Sequence, residues 1–408
     1  MQSSNIPPKF PAIFANSAGA GFIRTIPTTP TGTPGQASLQ QGFPPENFQP
    51  VAAGGVPPFG QDFNGLLNQI TAWVQWMTAG GGVPVYDGTF STAIGGYPAG
   101  AFLQANGNPG HFWISLVDNN TVNPDAGFSL NWRPFPNVLT ASRTFFVNGS
   151  TGNDSWDGTS ATFVSGTTGP WATLAHAASQ MPQYNLNGFS ITINVANGTY
   201  ALSSPVSWPS QAGNGSINIT GNAASPGSVI VSNATGTCMV FAAGTWNLDG
   251  FQITSTGTSG GDPGNGIFVG SGSVCTIKTV RFGPCVSFHL EAGNGGIASI
   301  AGPITINSGA NAQGHLFSST NAQVTFPTSP APTLTVAGPV TFSIATVYAN
   351  VLSSINGYYY GGTTGGGSVT ATRALTAANS ITNANGGGAT AYPGSSGHVE
   401  QTGGQYLP

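Results

Sequence analysis

Between Ile191 and Ile355 the chain carries only three carboxylates, Asp249, Asp262 and Glu291. Two carboxyl groups about 5 to 9.5 Å apart would suffice to cleave a glycosidic bond, one as the acid and the other as base or nucleophile. Asp249 lies in NLDGF and Asp262 precedes Pro263 in a glycine loop, so both read first as turn residues. In CVSFHLE, Cys285 to Glu291, strand alternation puts Val286, Phe288 and Leu290 on one side. Cys285, Ser287, His289 and Glu291 then share the other, with Lys278 and Arg281 near in sequence. His289 and Glu291 on one exposed face read either as a hydrolytic pair or as the polar outer stripe of an apolar core. A lyase acting on a uronic acid would need a base with cationic or metal help, and neither cluster is present. The expectation is a protein that is not an enzyme; if it is one, Asp249, His289 and Glu291 are the residues to carry it.

Other chemistries find less support. His111, His176, His289, His315 and His398 are isolated, and Cys238, Cys275 and Cys285 have no C-x-x-C spacing, so no metal and no cofactor is expected. Those thiols read as small buried side chains. With 7 Lys+Arg in 408 residues and a net charge of -4, no basic run follows a phosphate backbone, which argues against nucleic acid. No apolar run approaches the roughly 20 residues that span a bilayer, so no membrane insertion is expected.

The elements that must position these residues are mainly β. Gly 61 and Pro 31 accompany 39% apolar and 10% aromatic residues, with Ser, Thr and Asn making up the polar remainder. From about residue 137, apolar runs begin at Ile191, Ile217, Trp246 (a single run to Thr254), Val274, Ala298 and Leu334, at intervals of 26, 29, 28, 24 and 36. Ser228 to Val231 and Gly266 to Val269 add further strands per turn. Such repeats mark a solenoid whose coils cannot bury their faces alone, and a right-handed parallel β-helix over 137–355 fits best. The helical stretch GPWATLAHAASQ, before the first coil, would cap its open end. A Gly/Ser/Tyr-rich distal segment, 356–408, follows; Tyr358, Tyr359 and Tyr360 read either as receptor contacts or as packing between chains.

Upstream, residues 1–58 hold many prolines, which favour extended chain over helix. Phe10, Ile13, Phe14, Phe22 and Ile23 give this arm apolar points with which to lie on another surface, against the simpler reading of a floppy leader. Residues 59–136 begin with a helix from Asp62, its candidate N-cap, to Met77, ended by Gly80 to Gly82. Phe63, Ile70 and Met77 fall seven apart with Leu66, Leu67, Trp73 and Val74 between them. That is a short coiled-coil seam, or an ordinary helix packed on its own domain. Val85 to Tyr86, Ala101 to Leu103, Phe112 to Val117 and Phe128 to Trp132 read as strands of a small β domain.

The stretch GGVPPFGQDFNGLLNQITAWVQWMTAGGGVPVYDGTFSTAIGGYPAGA, continued by WISLVDNN, PDAG and W, resembles the N-terminal module of bacteriophage and prophage tail fibres and short tailspikes. FFVNGSTGNDSWDG with PWATLAHAA is similar to the opening motif of tailspike β-helix domains, and GGQYLP to fibre endings. The resemblance implies a homotrimer in the virion tail, held to tail or baseplate proteins by its N-terminal arm. It further implies contact with a host cell-surface glycan, by adhesion or, in some tailspikes, by depolymerase activity.

Overall fold

From Arg143 onward, short segments bury every second side chain, as a pleated strand with one covered face requires. The computed structural model describes residues 9–107, 110–126, 131–135, 137–270 and 272–408. It divides into two units, Met1–Arg133 and Pro134–Pro408.

In the second unit successive strands stack in parallel as a β-solenoid with three sheets. Sheet 1 has ten strands, from Arg143–Val147 to Gln405–Leu407; sheet 2 has seven, from Gly198–Leu202 to Thr363–Thr364; sheet 3 has eight, from Val206–Trp208 to Ser396–Glu400. Ile191, Ile217, Trp246, Cys275, Ala298, Val324 and Ile355 stand in register down sheet 1, all buried. Buried apolar columns of this kind replace the single core of a globular domain.

Three sequence readings change here. Leu334, taken as the next repeat start after Ala298, belongs to sheet 2; the sheet 1 equivalent is Val324, so the interval of 36 disappears. The segment 356–408, set apart as a distal piece, continues the ladders through Val369–Thr376, Ile381–Asn383 and Gln405–Leu407. The run from Trp246 to Thr254 is two strands, Thr245–Asp249 and Phe251–Ser255, with Gly250 between them at φ 84°. A Cβ on Gly250 would lie 2.6 Å from the Asn222 backbone, so the corner requires glycine. Before the first full coil, the helix Leu174–Gln180 is capped by the Thr173 hydroxyl, which accepts from the His176 N–H at 3.0 Å. It buries Leu174, Ala177 and Ala178 and packs on Val206–Trp208, the edge strand of sheet 3, covering the apolar end of the stack.

In the first unit the long helix is Gly60–Thr78. Asp62 is not its N-cap: the helix starts two residues earlier, and Asp62 is a fully buried first-turn residue. It pairs with Arg24, Nη2 to Oδ1 at 2.6 Å, and accepts from the Ala37 N–H at 2.7 Å. The arm lies along the polar side of this helix. Gln75 donates to the Phe10 carbonyl at 2.9 Å, Asn68 to Phe14 at 2.8 Å and Asn64 to Phe22 at 2.7 Å, while Thr71 accepts from the Phe14 N–H at 2.9 Å. A proline-rich segment with no ladder of its own thus has its backbone groups met by helix side chains. The approach is close at Gly65, where a Cβ would stand 1.8 Å from the Arg24 carbonyl.

Beyond the helix, strands Phe102–Gln104, Phe112–Ser115 and Trp132–Phe135 form a small sheet around Tyr97, Leu103 and Trp132. A short helix, Gly88–Ile94, stands where only strands were expected. Asp87 caps it, accepting from Thr89 and Phe90 N–H groups at 2.8 and 3.0 Å. Phe128, read as a strand start, lies outside the described residues.

Candidate functional site

The strand Phe288–Ala292 carries the best of the sequence-derived constellations and separates its two members. Here the chain turns from sheet 2 into sheet 3, and Phe288, His289 and Leu290 are all buried, so alternation fails at the corner. His289 is fully enclosed and stacks on Phe282 with centroids 5.0 Å apart. Its Nε2 lies 3.2 Å from the Ala310 carbonyl and its Nδ1 lies 3.1 Å from Nδ1 of His315, whose Nε2 meets the Tyr359 hydroxyl at 2.7 Å. A carbonyl only accepts, so His289 carries its proton on Nε2 and offers a bare Nδ1. His315 must then donate from Nδ1, and its Nε2 accepts the Tyr359 proton. The chain Tyr359→His315→His289→Ala310 is complete with both rings neutral. Burial pushes the His289 pKa down to about 3 and that of His315 well below its ordinary value. This is an internal structural network, and His289 is not beside Glu291 on a solvent face.

Glu291 does face outward, half-buried. Asn265 donates to its Oε2 at 2.7 Å and Ser319 to its Oε1 at 3.0 Å. Burial raises its pKa, opposed by those two hydrogen bonds. Asp249 sits on sheet 1, where its Oδ1 accepts from the Thr279 N–H of the next coil at 3.1 Å. Asp262 is tied to the Thr237 N–H and hydroxyl at 2.9 and 2.7 Å. Each carboxylate is therefore engaged in its own corner or turn, and Asp249 and Glu291 lie on different sheets.

The surroundings of Glu291 set sheet 3 apart. Its outward middle column reads Ser207, Val240, Phe268, Glu291, Phe317, Tyr348, Leu375 and Val399. The corresponding column of sheet 1 reads Thr144, Thr192, Asn218, Asn247, Thr276, Ser299, Thr325, Asn356, Asn383 and Leu407, and that of sheet 2 Thr199, Ile230, Gln252, Arg281, Thr305, Thr335 and Thr364. Two faces of the solenoid are thus mostly polar and the third is apolar and aromatic. The Phe268 ring lies flat over the backbone: a Cβ on Gly270 would come within 2.4 Å of it and one on Gly293 within 2.9 Å. Phe288 lies over Gly314 in the same way, stacked on Phe317 at 4.5 Å, and Phe317 stacks on Tyr348 at 4.9 Å. These rings are far apart in sequence and become neighbours only once the coil register is known.

Of the three consecutive tyrosines, Tyr359 is buried and bonded to His315, so it cannot touch a receptor. Tyr358 and Tyr360 remain half-buried, with ring centroids 4.5 Å apart. The arm residues Phe10, Phe14 and Phe22 expose their rings, while Ile13 and Ile23 are half-buried. On the long helix Phe63, Leu67, Ile70, Trp73 and Met77 are 40 to 70% exposed, with Leu66 and Val74 half-buried. Trp76, outside the expected seam, is uncovered too, and an apolar cleft of about 590 Å³ lies beside Trp73 and Trp76 against Val83, Pro84 and Val85.

All three cysteines are free and buried; burial pushes the Cys238 thiol up to about 12 and the other two higher, which makes them poor nucleophiles. Among the described residues no three His, Cys, Asp or Glu side chains converge as a metal site, and no helix is long and apolar enough to cross a membrane. Comparison with protein-family models, curated proteins and solved structures returns no match for this chain.

Proposed function

We propose that this chain is the subunit of a homotrimeric tail fibre or short tailspike of a virion. In this reading the N-terminal unit attaches to tail or baseplate proteins through its arm, and the solenoid, right-handed like nearly all parallel crossover connections, meets a host cell-surface polysaccharide. It binds that polymer without cleaving it.

The observation that carries the reading is the inverted packing of the long helix. Its polar side is occupied by the arm, and on its apolar side Ile70, Trp73 and Met77, at heptad-like spacing with Phe63, are left largely to solvent, while Phe63 stacks on Phe43. An apolar stripe this continuous is covered in the working molecule, and identical helices around an axis cover it best. The stiff, sparsely charged solenoid and the scattered carboxylates support adhesion over catalysis.

Sedimentation equilibrium of the full chain tests the assembly: a threefold mass, reduced to the monomer by Ile70→Lys with Trp73→Lys, is expected. A monomeric wild type overturns it. Adhesion is tested on a panel of bacterial strains, with binding lost after periodate oxidation of their surface glycans. Release of reducing ends from those glycans, abolished by Glu291→Gln or Asp249→Asn, would replace adhesion with depolymerisation.

A further inference from the structure

We propose that the outward face of sheet 3 around Glu291 is a glycan platform that accepts neutral or amino-sugar residues and rejects acidic ones. The proposal rests on the adhesive reading above and adds to it the place and the charge class of the ligand.

A pyranose offers an apolar C–H face and a rim of hydroxyls, so its site needs a flat apolar surface beside a fixed polar group. Phe268 supplies the surface. Its ring is laid flat by the missing side chains of Gly270 and Gly293, while Phe288, over Gly314, is itself buried and backs the Phe317 ring. Glu291, its register neighbour, supplies the polar group. The carboxyl is held by fully buried Asn265 and by Ser319. Each of its oxygens takes one of these bonds and keeps capacity for another donor, a sugar hydroxyl or ammonium.

The same carboxylate sets the charge preference. Arg373, on the same sheet, stands three strands along, about 14 Å at the usual strand spacing, and donates to the Ser396 carbonyl. A uronate or sialate placed here would face Glu291 without a cation between them.

The alternative occupant is a second copy of the chain. Among the described residues, the outward middle columns of sheets 1 and 2 offer one cation, Arg281, and Asn307 already accepts from it at 2.8 Å and 3.1 Å. A copy packed on sheet 3 by either of those columns would meet Glu291 with no uncommitted cation, a costly arrangement, whereas a sugar brings its own donors.

The test is binding of the full-length protein to chitosan oligosaccharides, dextran oligosaccharides, polygalacturonate and polysialic acid. Wild type should bind at least one of the first two and neither of the acidic polymers. Phe268→Ala and Tyr348→Ala should weaken that binding at least tenfold, and Glu291→Gln should weaken the amino-sugar probe most. Thr276→Ala, on the outward face of sheet 1, should leave it unchanged, and all variants should keep the wild-type mass and melting temperature within a few degrees. Equal binding of the acidic polymers, unchanged affinity in Phe268→Ala, or no binding to any of the four probes overturns the platform. Loss of oligomeric mass in Phe268→Ala overturns it in favour of a contact between copies. If the platform fails while wild type still adheres to cells in a periodate-sensitive way, the adhesive reading stands; if wild type adheres to no strain, both fall.

Discussion

Mild acid should destabilise the solenoid, and the buried histidine pair gives the size of the effect. His289 and His315 are neutral in the fold, the first held down to a pKa of about 3 and the second well below its ordinary value. In the unfolded chain both titrate near 6.5. Below about pH 6.5 the unfolded chain therefore binds up to two more protons than the folded one, and stability falls as pH falls, until the folded rings themselves protonate. Each histidine contributes a slope of about 1.4 kcal/mol per pH unit. Between about pH 6.5 and pH 4.5 His289 alone accounts for a loss of roughly 2 to 3 kcal/mol, and His315 adds to it in the same direction. Glu291 opposes this over a narrower range. Burial raises its folded pKa, so the penalty on its charged form appears as pH rises from the unfolded value through the folded one, and is relieved as pH falls.

The assay is urea unfolding at pH 7.5, 6 and 5, with proton uptake read from calorimetry in buffers of different ionisation enthalpy. A double variant, His289→Asn with His315→Asn, will be weaker at every pH because it loses the ring stacking on Phe282. Its slope is the diagnostic, since two titrating protons are gone. A wild-type slope below pH 6 no steeper than that of the double variant would refute the reasoning, as would imidazole NMR shifts of charged rings at pH 5 in the folded protein.

Two further outcomes follow from burial. Arg24→Met leaves fully buried Asp62 without its cation; the expected cost is about 3 to 5 kcal/mol, seen as faster proteolysis of the arm with the solenoid intact. Trp246→Ala empties a fully buried position between Trp208 and Phe241, whose ring centroids lie 6.0 and 5.5 Å away. It should cost roughly 3 to 5 kcal/mol, measured as a lower urea midpoint at unchanged m-value.

The repeat was legible in the sequence because one column per coil is strongly apolar, and Ile191, Ile217 and Trp246 fall into a single ladder. The corners were not. Apolar alternation runs on from Trp246 to Thr254 while the backbone turns at Gly250, so two strands read as one. At the next corner the assumption of strict alternation placed His289 beside Glu291, whereas a turning chain sends His289 and Leu290 inward together. Asp62 satisfied the composition rule for an N-cap, but its partner, Arg24, lies 38 residues upstream in an arm whose path no local pattern reveals. The exposed apolar side of the helix was legible as a heptad-like spacing, while the packing of the opposite, polar side on the arm was not, since it depends on side chain to backbone bonds spread over residues 10 to 24.

The column around Glu291 was out of reach for the same reason. Phe268, Glu291, Phe317 and Tyr348 have no shared local motif, and only the coil register lines them up. Once aligned, the column differs in kind from the exposed side of the long helix. Among the helix seam positions there is no charged group, and polar side chains such as Asp62, Asn68 and Thr71 face the arm. Such a surface suits another apolar surface. The sheet 3 column holds a carboxylate that the fold has partly desolvated and anchored from both sides. An apolar partner would complete its desolvation with no compensating donor, and the cost of that is what apolar burial of Phe268 and Tyr348 would have to overcome. A ligand that brings both a C–H face and hydroxyl donors avoids the conflict, which is why the occupants proposed for the two uncovered surfaces differ: like helices for the first, a sugar for the second.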